Sequence, residues 1–273
     1  MKRFVLLLLL ALTACGKNAD QPWLGYGEGE DAFIAAPAPG WVASLGVTRG
    51  QEVKPGDLLF TLNDTNEQST RDQAAANLAN LKAQFVQNEA TLAYAAKELS
   101  RQTNLVHEKA GTQENLDLAR SNYDQAVARN AEIEAQQQQA QAALTGAAYQ
   151  LSQRRIVSLV QGRVEDIYFR AGEYVPQSTP VLSILPPQNV FVRFFVPESQ
   201  FGRVKIGQRV RISCDGCAAN ISATITFIAQ QEEFTPPVIF SIGNREKLVF
   251  KLEARAPGGL KINPGQPVDV RPL

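Results

Sequence analysis

The chain has 273 residues, with 27 Lys+Arg balanced by 27 Asp+Glu. That balance excludes a globally basic nucleic-acid binder and gives no pull toward an acidic membrane surface. A hydrophobic share of 44% is ordinary for a folded protein.

Residues 1–14 read as a processing segment rather than fold. Met1, Lys2 and Arg3 open the chain with positive charge, and Phe4 to Leu12 is apolar. That run is too short to span a bilayer, which needs about 20 helical residues. It ends in Leu12-Thr13-Ala14-Cys15, which resembles a bacterial lipobox, so Cys15 is expected to be cleaved to and lipidated. Acyl chains add about 0.8 kcal/mol per buried methylene and would anchor the mature chain. Residues 15–35 then read as a linker and a first strand, returning to a barrel or joining the core of the next segment.

Residues 36–64 and 156–187 carry the same pattern. Gly40, Val42, Leu45, Val47, Gly50, Val53 and Leu62 align, at one constant offset, with Gly162, Val164, Ile167, Phe169, Gly172, Val175 and Ile184. A Gly recurs at a turn and apolar residues recur at strand spacing, which marks an internal repeat. Each copy is too small to bury a core alone, so the two pack together. Whatever lies between them must leave and return at neighbouring points.

What lies between is helical. No Pro occurs from Gly56 to Tyr174, and the stretch from about Thr65 to Gln153 is rich in Ala, Gln, Asn, Leu and Glu. Leu78, Phe85, Leu92, Leu99 and Val106 fall at heptad intervals. Leu116, Tyr123, Leu144 and Leu151 share a second register, with Ala119, Ala126, Ile133, Ala140 and Ala147 filling the seam. Asn88, Asn130 and Gln137 interrupt these seams with polar groups. At Lys109-Ala110-Gly111-Thr112 the phase changes. Gly111 offers a positive φ and Thr112 an N-cap. Residues 65–155 are therefore expected to form an antiparallel coiled-coil hairpin with its tip near 105–112. Each arm of roughly 40 residues would run about 60 Å.

Residues 188–273 read as a small β-barrel, with strands at about 190–196, 208–213, 221–229, 247–256 and 267–270. Cys214 and Cys217 flank Asp215-Gly216, a tight hairpin turn. In an exported compartment a structural disulfide is the favoured reading, with free thiols as the alternative. Redox chemistry would need a βαβ context that is absent, and zinc would need two more ligands. With His107 as the sole His and no nucleophile-and-base constellation, no catalytic site, metal or cofactor is expected. On a coiled coil, His107 itself reads as a surface residue. The predicted fold class is α+β, mostly β, and elongated: a split sandwich, an inserted helical hairpin and a barrel.

That order of parts resembles the membrane fusion protein, or periplasmic adaptor, family (HlyD-like). The resemblance covers nearly the whole mature chain. It implies a lipoyl-like domain split into two halves by the hairpin, followed by the barrel. Adaptors that dock on TolC-type outer-membrane channels carry at the tip an Arg, a Leu one helical turn on, and a Ser two turns further. Arg101 and Leu105 match, and Thr112 stands where the family has Ser, keeping the hydroxyl. The resemblance therefore implies a non-enzymatic adaptor in efflux or secretion. It would join an inner-membrane transporter, with an ABC type favoured, to a TolC-type channel, and self-associate into a ring, by family precedent of six. It would be periplasmic and lipid-anchored, with the inner membrane favoured. Gly16 stands where an inner-membrane retention signal often has Asp, which leaves the outer membrane as an alternative. Two rivals are weighed. A lipoyl or biotin carrier needs a Lys where the half-motifs join, and Leu62-Asn63-Asp64-Thr65 has none. A structural tether or assembly factor would need neither tip motif nor transporter.

Overall fold

A computed structural model describes residues 21–218, 221–234 and 248–273. Met1 to Cys15, with the lipobox, lie outside the described residues.

Two strands open the described chain, β1 (Trp23–Gly29) and β2 (Ala32–Ala35). The first half-motif follows as β3 (Gly40–Leu45), β4 (Glu52–Val53) and β5 (Leu58–Leu62). Helices α1 (Thr65–His107) and α2 (Gln113–Ser152) come next. The second half-motif is β6 (Arg155–Val157), β7 (Gly162–Ile167), β8 (Tyr174–Val175) and β9 (Pro180–Leu185). The chain ends with β10 (Val190–Pro197), the short helix α3 (Glu198–Phe201), β11 (Arg209–Ser213), β12 (Ile221–Phe234), β13 (Leu248–Arg255) and β14 (Pro267–Pro272).

The internal repeat becomes two four-stranded sheets, β2-β9-β7-β4 and β6-β5-β3-β8. The repeat exchanges them, since β3 corresponds to β7, β4 to β8 and β5 to β9. Their facing sides share one core, in which Val42, Val53, Leu62, Val164, Val175 and Ile184 are at most 1% exposed. Neither half could bury these residues alone. Gly50 and Gly172 hold the equivalent turns at φ 84° and 89°, a region open to glycine at little cost.

The barrel is closed in the order β1-β10-β13-β12-β11-β14 with antiparallel pairing. Closure depends on β1, which pairs with both β10 and β14 and leaves no free edge. The segment 23–35 thus serves both units, β1 in the barrel and β2 in the sandwich. Inward-facing Val192, Phe194, Val196, Ile225, Leu252 and Val270 are fully buried. Trp23 stacks on Phe194 at 5.7 Å, and its indole N–H donates to Gln200 Oε1 at 2.6 Å.

The helices pair antiparallel along the expected seam. Leu78, Ala95, Ala119, Ala126, Ile133 and Ala140 are its buried residues. Asn88 Nδ2 donates to Asn130 Oδ1 at 2.9 Å and to the Ala126 carbonyl at 3.1 Å. Gln137 Nε2 donates to the Leu81 carbonyl at 3.2 Å. The polar seam residues therefore find partners across the hairpin, Asn88 and Asn130 in each other and Gln137 in a backbone carbonyl. At its base, Arg154 reaches Glu67 Oε1 at 2.5 Å and the Pro39 carbonyl at 2.7 Å, tying both helix ends to the sandwich. No helix among the described residues is long and apolar enough to cross a membrane.

Candidate functional site

The hairpin tip is built by a helix stop and a helix start. The α1 end forms a Schellman motif: Ala110 N–H donates to the Leu105 carbonyl and Lys109 N–H to the Val106 carbonyl. The left-handed residue is Lys109, at φ 56°, and not Gly111 as the sequence suggests. Gly111 is needed for space instead, because a Cβ there would stand 3.0 Å from Leu105 Cβ. Thr112 takes the expected cap position, its hydroxyl accepting from Asn115 N–H at 3.3 Å.

The three tip residues differ in what they offer a partner. Arg101 is exposed and pairs along its own helix with Glu98 at 2.6–2.7 Å. The Arg101 hydrogen bond lowers the Glu98 carboxyl pKa, and Glu98 in turn raises that of the guanidinium. Both groups therefore stay charged at neutral pH, and the pair can reopen toward an incoming carboxylate or carbonyl. Leu105 is half-buried under the turn. The Thr112 hydroxyl is already engaged in its cap, so its contribution is more architectural than the motif alone suggests. His107 is exposed on the last turn of α1.

Two neighbours were not singled out by the sequence. The Asn88–Asn130 pairing places Leu118 level with Ser100, on the flank that also carries Tyr94 and Arg101. Tyr94 and Leu118 are 70% and 60% exposed. An apolar residue outside the seam register is the signal that could have found them. Away from the tip, Cys214 and Cys217 are disulfide-bonded across the β11–β12 turn, with Cα atoms 5.3 Å apart. Gln266 Nε2 holds that turn through the Asp215 carbonyl at 3.2 Å.

Relatives with this arrangement are known. No family model matches the chain. It is 27% identical over 253 residues to the multidrug export protein EmrA of Haemophilus influenzae, covering 78% of this chain and 64% of that one. It is 27% identical over 275 residues to a UPF0194 membrane protein of Yersinia enterocolitica, covering 85% and 83%. The crystal structure of MacA from Actinobacillus actinomycetemcomitans superposes with a TM-score of 0.68 at 21% identity, over 92% of this chain and 77% of that one. In sequence the chain is similar to these export proteins, and its fold is that of solved membrane fusion and periplasmic adaptor proteins. Its matches span 64%, 44% and 63% of the first three curated relatives, so the chain corresponds to less than two thirds of their length.

Proposed function

We propose that this protein is a periplasmic adaptor, anchored by a lipid on Cys15, that couples an inner-membrane exporter to a TolC-type outer-membrane channel. In this reading residues 36–64 and 156–187 form a lipoyl-like domain split by the hairpin of 65–155, and the barrel side faces the transporter. Arg101, Leu105 and Thr112 make the channel contact. Copies standing side by side, six by family precedent, form the conduit, so substrate crosses without bond chemistry and the transporter supplies the energy. An ABC-type exporter is the favoured partner, and the inner membrane the favoured site of the lipid. The observation that carries the reading is the hairpin itself. Its helices of 43 and 40 residues hold an exposed Arg101 and a half-buried Leu105 about 60 Å from the sandwich. Nothing in the fold's own packing requires that reach.

Cysteine-directed crosslinking in intact cells tests it. Leu105→Cys and Leu118→Cys are expected to give adducts with an outer-membrane channel, and Ala83→Cys, exposed in mid-arm, is expected to give none. A lipidated, expressed protein that links to no channel from either tip position would overturn the docking role and leave a tether.

A further inference from the structure

The chain is neutral as a whole, but the outer wall of its barrel is not evenly matched in charge. On β10 and β13 the outward arginines have acidic partners. Arg193 pairs with Glu28 at 2.6 Å and Glu253 at 2.8 Å, and Arg255 with Glu30 at 2.6 Å. On β11 and β14 they have none. Val210, Ile212 and Val270 point into the core, so Arg209, Arg211 and Arg271 point outward, and all three are exposed. The strand register sets Arg211 directly opposite Arg271. Like charges placed so destabilise a sheet.

The basic character continues beyond the strands. From Ser199 to Ser213 the chain carries Arg203, Lys205, Arg209 and Arg211 and no acidic residue. Arg203 and Lys205 are exposed on the turn before β11, and Ile206, which follows them, is 69% exposed. Gly207 N–H ties that turn to the Ile225 carbonyl at 2.9 Å, and Leu273 N–H donates to the Arg209 carbonyl at 3.1 Å. Exposed Ile206 and Leu273 therefore flank the arginines. The facing positions on β12, Ser222 and Thr224, are uncharged. Asp269 is the acidic neighbour on β14, and it forms no ion pair with these side chains. None of the five basic residues has an ion pair among the described residues. Arg209 makes a 3.4 Å hydrogen bond to the Ser222 hydroxyl.

We infer that the Arg209–Arg211–Arg271 wall of the barrel rests on the anionic phospholipid surface of the bilayer that holds the Cys15 lipid. Trp23, where β1 begins, pairs with Val270, the neighbour of Arg271. The segment from Cys15 to Trp23, even fully extended, reaches about 28 Å. A lipid on Cys15 thus leashes these arginines to the headgroups, and a leash turns a weak contact into a held one. Phosphate headgroups match guanidinium groups in charge and in hydrogen-bond geometry. They also relieve the repulsion between Arg211 and Arg271. Ile206 and Leu273 suit the boundary of headgroup and acyl chain, where apolar and basic side chains sit together. Each Lys or Arg at an anionic surface raises binding about fivefold, and salt screens it. A one-point leash alone leaves the barrel free to turn, and contact along this wall fixes how it stands. The inference rests on the lipid anchor in the adaptor reading and adds the protein surface that meets the membrane.

Sedimentation with vesicles tests the wall, using the mature chain with Cys15→Ser so that no lipid contributes. Vesicles of phosphatidylcholine and phosphatidylglycerol at about 7:3 are expected to bind it about tenfold or more above pure phosphatidylcholine at low salt, and to release it at high salt. Arg209→Gln, Arg211→Gln and Arg271→Gln together are expected to bring binding down to the phosphatidylcholine level with far-UV circular dichroism unchanged. Lys82→Gln, Lys97→Gln and Arg120→Gln, exposed on the hairpin, remove the same charge and are expected to leave binding intact. No binding, equal binding to both vesicles, or equal loss in the two triple variants would each overturn the assignment. In intact cells, Ile206→Cys is the one thiol outside the lipid and the disulfide, and a photoreactive maleimide on it is expected to label phospholipid. Adducts with a protein and none with lipid would give the wall to an acidic protein surface instead, and the inference would fall. If Leu105→Cys links to no channel while vesicle binding still needs the arginines, the docking role falls and the wall stands. If the vesicles fail while that link forms, the wall is wrong and the adaptor reading stands.

Discussion

The barrel and the hairpin hold themselves together by opposite means. In the barrel, Val192, Phe194, Val196, Val210, Ile225, Leu252, Ala254 and Val270 are fully buried in one closed core. In the hairpin, helices of 43 and 40 residues bury two side chains larger than alanine, Leu78 and Ile133. Alanines let the helices approach closely, but they remove little apolar area from water. A barrel core tolerates few voids, because every residue in it is surrounded by others. A two-helix rod has one seam and two solvent-facing flanks, so its cohesion per unit length is low. The rod therefore depends on how its base is fixed and on what stands beside it.

The largest effect expected from that contrast is on the barrel. Phe194→Ala should cost about 3–5 kcal/mol, through lost burial and the cavity left under Trp23. Urea unfolding followed by tryptophan fluorescence in a Trp41→Phe background reports this, since the remaining Trp23 stacks on Phe194. In that background alone, far-UV circular dichroism, dominated by the helices, should lose signal at a lower urea concentration than the fluorescence. Coincident transitions would mean that hairpin and barrel unfold as one unit, and the contrast would fail.

A smaller effect is expected where the two regions meet. Arg154 donates to Glu67 and to the Pro39 carbonyl with its side chain 16% exposed, and its guanidinium occupies the space over Gly40. Arg154→Ala should cost about 1.5–3 kcal/mol, because Glu67 is left partly buried without its partner. Hydrogen exchange should show the first turns of α1 opening well before the sandwich strands. Arg154→Lys should recover little, since a single ammonium cannot span both acceptors in the same geometry. Equal protection in wild type and Arg154→Ala would show that the sandwich strands alone set the hairpin's base.

Much of this was legible in the sequence for stated reasons. The repeat was visible because Gly50 and Gly172 are set by turn geometry, and Val42, Val53, Val164 and Val175 by a shared core. The hairpin was visible because a heptad seam has a fixed period, and burial at Ala119, Ala126, Ile133 and Ala140 follows that period. The role of β1 stayed ambiguous, since closing a barrel is a contact between residues far apart in the chain, and Trp23–Gly29 alone carries no sign of its partners. At the tip the sequence points to Gly111 as the left-handed residue, because glycine is the usual choice. Here Lys109 takes that conformation, and glycine is needed two residues on for clearance from Leu105. Arg154, Tyr94 and Leu118 carry little signal in the sequence, because a charged residue at a helix end, or an apolar one off the seam, is ordinary until the register is known.

The smallest effect expected lies in the polar layer of the seam. Asn88 and Asn130 bond to each other at 2.9 Å in positions that a purely stabilising seam would fill with leucine. Asn88→Leu alone strands the Asn130 amide and should cost about 1 kcal/mol. Asn88→Leu with Asn130→Leu removes both partners and should leave stability equal or higher by up to about 1 kcal/mol, while weakening the device that fixes register. Spin labels at Ala83 and Ala135, both exposed and level with each other across the seam, read that register as a distance distribution. It should be narrow in the wild-type chain and broader in the double variant. A distribution that stays narrow would assign the register to the Lys109 turn and the alanine layers. The rod's alignment would then be set from its tip, and Asn88 and Asn130 would contribute only their hydrogen bond.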